Sequence, residues 1–100
     1  MIEVSLDPSF KRALKRKRAR NAGIDDTLQA KLKIFIDNPF DPSLKTHKLS
    51  GKLRDYWSFT VEYDLRVIFY FDGPDRAVFV LIGTHEELYL PLVYVTTFIE

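Results

Sequence analysis

Residues 56–82 read YWSFTVEYDLRVIFYFDGPDRAVFVLI, and the fold turns on how this stretch divides. Tyr56–Tyr63 alternates, with Trp57, Phe59 and Val61 on one face, the period of a half-buried strand. Leu65–Asp72 is more uniformly apolar, as befits a central strand. Asp72-Gly73-Pro74-Asp75 is composed of turn formers, and Arg76–Ile82 returns as a further strand. Connections this short join antiparallel neighbours, so the stretch is expected to be an antiparallel meander.

Upstream, residues 2–6 (IEVSL) alternate and predict a short strand. Asp7-Pro8 supplies an N-cap and a first-turn proline, and Phe10, Ala13 and Leu14 recur at helical spacing. Asn21-Ala22-Gly23 is a stop, with Gly23 suited to a left-handed C′ position. A second helix is expected from Asp25 or Asp26, burying Leu28, Leu32, Phe35 and Ile36 and ending at Asn38-Pro39. Residues 39–54 are expected to be irregular, punctuated by Pro39, Pro42 and Gly51. The order β-α-α-β-β-β defines an α+β domain over residues 1–89, with a helical hairpin covering one face of the sheet. The other face, or its concave end, is left for a ligand. Residues 90–100, LPLVYVTTFIE, are β-branched and apolar but interrupted by Pro91. They read as an extension, either an extra edge strand or a segment that pairs with a neighbouring chain.

One hundred residues, 46% hydrophobic and 29% charged, are enough for one core. The absence of cysteine excludes a disulfide scaffold, a thiolate nucleophile and a Cys-ligated zinc, and suits the reducing cytoplasm. No apolar run approaches the roughly 20 residues of a membrane span, and MIEVSLDPSF lacks the pattern of a signal peptide. The net charge of +1 conceals an asymmetry: KRALKRKRAR, residues 11–20, holds seven of the 15 cations and none of the 14 anions. The other ninety residues therefore carry eight cations against fourteen anions. A basic block on a nearly neutral chain points to a polyanionic contact rather than a merely solvated face.

No phosphate-binding glycine loop, dinucleotide fingerprint, zinc-protease helix or nucleophile elbow is present. The chemistry-bearing residues gather around the sheet instead. His47 and Lys48 precede the Tyr56 strand, Asp64 lies at a turn, Arg66 opens the Leu65 strand, and His85, Glu86 and Tyr89 follow the Arg76 strand. On a regular strand Asp64 and Arg66 would share a face, where Arg66 pairs with Asp64 or Glu62. Two histidines and an acid carry no diagnostic metal spacing, and no cofactor is called for.

HKLSGKLRDYWSFTVEYDLRVIFYF (residues 47–71) followed by LIGTHEELY (81–89) resembles the RelE/ParE toxin superfamily, and within it the YafQ-type messenger-RNA interferases. The resemblance runs from about Ile2 to Tyr89 and rests on both motifs at their spacing. It implies a RelE-like fold and a ribosome-dependent, metal-free cut of mRNA through attack of the ribose 2′-oxygen. A base, a cation for the phosphorane and an acid for the leaving 5′-oxygen are then needed. His85 matches the histidine of the G-T-H motif and is expected to be the acid. Arg66 matches the arginine that would stabilise the phosphorane. The base is His47 or Asp64, for this chain has Thr60 where YafQ-type enzymes carry another histidine. RNA contacts are expected from Tyr89, from Lys48, Lys52 and Arg54, and from Lys15, Arg16 and Arg18. The implied partners are a cognate antitoxin, the ribosome and mRNA, in the cytoplasm and away from membranes. Two other functions fit the same fold: a ParE-like inhibitor of DNA gyrase that cuts no RNA, and a degenerate toxin kept as a binding module.

Overall fold

Asp7 caps the first helix as its place before Pro8 requires. Its carboxylate accepts the Ser9 N–H at 2.9 Å, and α1 (Pro8–Arg18) follows with Phe10, Ala13 and Leu14 buried. The computed structural model describes residues 1–88; the expected extension at 90–100, and Tyr89, lie outside them. The strand that precedes α1 is β1 (Glu3–Leu6), and α2 (Ile24–Asp37) completes the helical hairpin. Asn38 ends α2 in extended backbone, φ −155° and ψ 103°, as the residue before a proline prefers.

The segment between the helices departs from expectation. α1 stops at Arg18, and Gly23 has φ −88°, outside the left-handed region. Gly23 is instead the N-cap of α2, without a side-chain bond, and the helix starts at Ile24 ahead of the two aspartates. Ile24 is wholly buried, so docking of an apolar side chain sets this start, which capping rules alone do not capture.

The meander appears as β3 (Trp57–Glu62), β4 (Leu65–Phe71) and β5 (Arg76–Thr84), with a two-residue strand β2 (His47–Lys48) before them. The sheet order is β1-β5-β4-β3-β2, and β4 is central. β2 to β5 pair antiparallel in succession, whereas β1 lies parallel to β5. The parallel pair is reached by way of both helices and the meander, the long crossover that parallel strands require. β2 falls inside the stretch expected to be irregular; His47 and Lys48 pair with Ser58 and Trp57. β5 runs two residues beyond the expected Ile82.

The helices cover one face of the sheet, and phenylalanine dominates the layer between. Phe35 of α2 has ring centroids 5.0 Å from Phe59, 5.0 Å from Phe69 and 5.2 Å from Phe79. All four rings are essentially fully buried. Leu65, Val67 and Phe69 of β4 point into this core. The alternation of a strand then sends Arg66, Ile68 and Tyr70 to the opposite face, where no helix from the hairpin lies. The candidate site is on that face.

Candidate active site

His47 sits on the edge strand β2 opposite Ser58. Its Nδ1 lies 3.0 Å from the carbonyl of Lys45, a residue in left-handed conformation at φ 52°. A carbonyl only accepts, so Nδ1 is the donor in this contact, and in that tautomer of a neutral ring the lone pair is on Nε2. Arg66 stands on central β4, paired in register with Thr60 on one side and Gly83 on the other. His85 directly follows β5 and opens the helical residues 85–88. His47, Arg66 and His85 line a single open cleft of about 340 Å³, together with Leu49, Ser50 and Leu53. Residues 38 positions apart in sequence thus bring two imidazoles and a guanidinium to one solvent-facing hollow, a donor set suited to proton transfer at an anion. Among the described residues no three His, Cys, Asp or Glu side chains group as metal ligands.

Asp64 is placed differently. It does not share a strand with Arg66; it occupies the β3–β4 turn at φ 63°. Its Oδ1 accepts from Arg66 Nη1 at 3.2 Å and from the His85 backbone N–H at 3.5 Å. Asp64 lines a neighbouring hollow with Lys17, Arg20 and Tyr63 rather than the His47 cleft. Asp64 therefore holds two members of the cleft from behind. Among the described residues Thr60, across from Arg66, is not part of the cleft wall either.

The expected RNA-contacting cations spread more widely. Lys15, Arg16 and Arg18 lie exposed on α1, and Arg18 Nε is 2.9 Å from both oxygens of Asp25. Lys48, on β2, and Lys52 and Arg54, in and after the turn Gly51–Leu53, are exposed beside the cleft without lining it.

Sequence patterns pass over two features. Tyr56 and Tyr70, with ring centroids 6.0 Å apart, line a more apolar groove of about 550 Å³ with Ile68, Leu81 and Leu88. Leu53 belongs to both hollows, so the groove adjoins the cleft. The period-2 pattern of β4 carries this signal, because Tyr70 falls on the same face as Arg66. The second is Glu87. Its carboxylate accepts the Thr84 N–H at 2.8 Å, the Thr84 hydroxyl accepts the Glu87 N–H at 3.3 Å, and Lys17 of α1 pairs with the same carboxylate. The bonds from Lys17 and from Thr84 N–H hold the Glu87 carboxyl below the usual carboxylate range. Thr84-His85-Glu86-Glu87 fits the capping-box pattern, the clue that was there to be read.

Comparison with known proteins agrees with this architecture. YafQ from E. coli strain BL21(DE3) superposes with a TM-score of 0.74 at 21% identity, over 89% of this chain and 99% of that one. The E. coli DinJ–YafQ complex gives 0.73 at 21% identity, over 89% and 99%. A YoeB/ParE toxin from Agrobacterium tumefaciens gives 0.70 at 16% identity, over 84% and 99%. At these identities the likeness speaks to the fold. A search of curated proteins finds no match. The profile of the bacterial toxin of type II toxin–antitoxin systems, YafQ, matches residues 2–90. The chain belongs to the YafQ family of type II toxin–antitoxin toxins.

Proposed function

We propose that this toxin is a ribosome-dependent endoribonuclease that cuts mRNA, and that the cleft lined by His47, Arg66 and His85 is its active site. The observation that carries the reading is the convergence of those three side chains on one hollow. His47 Nε2 takes the proton of the ribose 2′-hydroxyl. The 2′-oxygen attacks the adjacent phosphorus as the bond to the 5′-oxygen breaks. Arg66 faces the phosphorane charge with a fork that matches phosphate oxygens. His85 gives a proton to the departing 5′-oxygen, and the products are a 2′,3′-cyclic phosphate and a free 5′-hydroxyl. Asp64 orients Arg66 and steadies the backbone of His85. Tyr56 and Tyr70 offer rings beside the cleft on which an unpaired base can stack.

A complex of DinJ with YafQ exists for the E. coli protein, and a cognate antitoxin is the corresponding partner here. An acidic segment would complement the α1 block and cover the open face. No helix among the described residues is long and apolar enough to cross a membrane, and a ribosomal substrate places the action in the cytoplasm.

The test is to incubate purified protein with translating ribosomes and map the mRNA ends. Removing a general acid loses about 10²–10⁴-fold in rate. His85→Gln is therefore expected to abolish cleavage while leaving fold and antitoxin binding intact. Wild-type cleavage by a folded His85→Gln protein would overturn the assignment. Gyrase inhibition with no new mRNA ends would favour the ParE-like alternative.

A further inference from the structure

The geometry points to Glu87 as the positioning residue of His85. The inference rests on His85 being the proton donor, and Glu87 itself contacts no substrate. Thr84 is the last residue of β5 and the cap of the helical turn that carries His85. The Thr84 hydroxyl and the Glu87 carboxylate close on each other's backbone N–H groups at 3.3 and 2.8 Å, so His85 sits inside a two-bond clasp. Lys17, seventy positions away in sequence, anchors the clasp to α1 through the same Glu87 oxygen. The turn also folds tightly onto the strand. A Cβ added at Gly83 would lie 3.2 Å from Leu88 Cδ2 and 3.3 Å from Glu87 Oε1, so a larger residue there would press on the side chains that close the turn. From the other side, Asp64 accepts the His85 N–H.

These contacts divide into two separable parts. The clasp fixes where the turn begins, and hence the backbone from which the imidazole projects. The Lys17 pair fixes the turn against the helical layer. Glu87→Ala removes the Lys17 pair and the carboxylate half of the clasp, leaving only the bond from the residue 87 N–H to the Thr84 hydroxyl. Glu87→Gln keeps an oxygen for the Thr84 N–H, and Lys17→Met removes the anchor alone. A misplacement of about 1 Å at a reacting group costs on the order of 10²-fold. The order of turnover at saturating ribosome is therefore wild type, then Lys17→Met and Glu87→Gln, then Glu87→Ala at about 10²-fold below wild type.

The chain has two histidines, so its imidazole Hε1 spectrum contains one signal from His85 and one from His47. In Glu87→Ala the His85 signal is expected to shift and broaden while that of His47 stays in place, which also reports an intact fold. Glu87→Gln is expected to restore a sharper His85 signal along with part of the rate. An unchanged His85 signal in folded Glu87→Ala overturns the inference, as does a Gln variant no better than the Ala variant. Should Glu87→Ala not fold, Lys17→Met and Glu87→Gln give the same reading: a His85 signal identical to wild type in both refutes the clasp. If the His85 signal responds as expected but wild-type protein cuts no RNA, the positioning stands and the nuclease reading falls.

Discussion

Ser58 is wholly buried between β2 and β4, opposite His47 in register, and among the described residues its hydroxyl has no hydrogen-bond partner. An unsatisfied buried hydroxyl costs about 1–3 kcal/mol, so Ser58→Ala is expected to be neutral or to stabilise by about 1 kcal/mol. Urea unfolding checks this: a raised midpoint at constant slope agrees, and a clear loss of stability would reveal a partner for the hydroxyl. At the same scale, the ionic contact behind the cleft adds little to stability. Arg66 and Asp64 are partly exposed, with side-chain exposures of 28% and 52%, and pairs of this kind contribute little to stability. That His47, Arg66 and His85 gather at one place was legible in the sequence, because residue type and motif spacing group them directly. The closeness of Asp64 to Arg66 was legible, but its place was not: a left-handed turn residue leaves the strand alternation that spacing arguments assume. The tautomer-setting Lys45 carbonyl near His47 was not legible at all, since backbone acceptors leave no mark in side-chain patterns.

Helix caps and strand periods explain most of the elements, and packing explains the exceptions. Asp7-Pro8 and Asn38-Pro39 bound the hairpin as read, because each acts through local geometry. The start of α2 was not legible, because Ile24 gains more from burial than the next two residues gain from capping. The parallel β1–β5 pair was equally hidden: a two-fold period marks a strand but does not say which neighbour it joins. The face exposed by the meander was legible from β4, where an apolar strand carries Arg66 and Tyr70 on one side. Phe35 is the element-scale test of how the hairpin is held, for its ring meets β3, β4 and β5 at once. Phe35→Ala is expected to cost about 3–5 kcal/mol through lost burial and a cavity. Phe35→Leu, which keeps most of the volume, should cost markedly less. Calorimetry or denaturant melts measure both; equal losses for the two would mean that the ring contacts, rather than the filled volume, hold α2 to the sheet.

At the scale of the whole molecule the charge is divided rather than balanced, and α1 carries the division. Six of the seven cations in residues 11–20 are exposed, while Lys17 is half-buried against Glu87. Arg18 is engaged by Asp25, so its charge is partly compensated. Arg16 is the better probe: it lies exposed at a hollow between α1 and β5, with Arg20 beside it. If this surface tracks ribosomal RNA, binding releases counterions and affinity falls steeply with salt. Arg16→Glu is then expected to weaken ribosome association and to reduce the slope of log affinity against log salt by about one for a lost phosphate contact. Cleavage at saturating ribosome should be spared, because Arg16 is not on the wall of the His47 cleft. Arg18→Glu should be less specific, since it also sets two acids against each other at Asp25 and loosens the helical hairpin. Binding measured from low to moderate salt for wild type, Arg16→Glu and Arg18→Glu separates a phosphate contact from a destabilised fold, because only the first changes the slope without changing the melting temperature. Affinity indifferent both to salt and to Arg16→Glu would leave the basic segment a solvated helix face, with ribosome binding resting on the open face of the sheet alone.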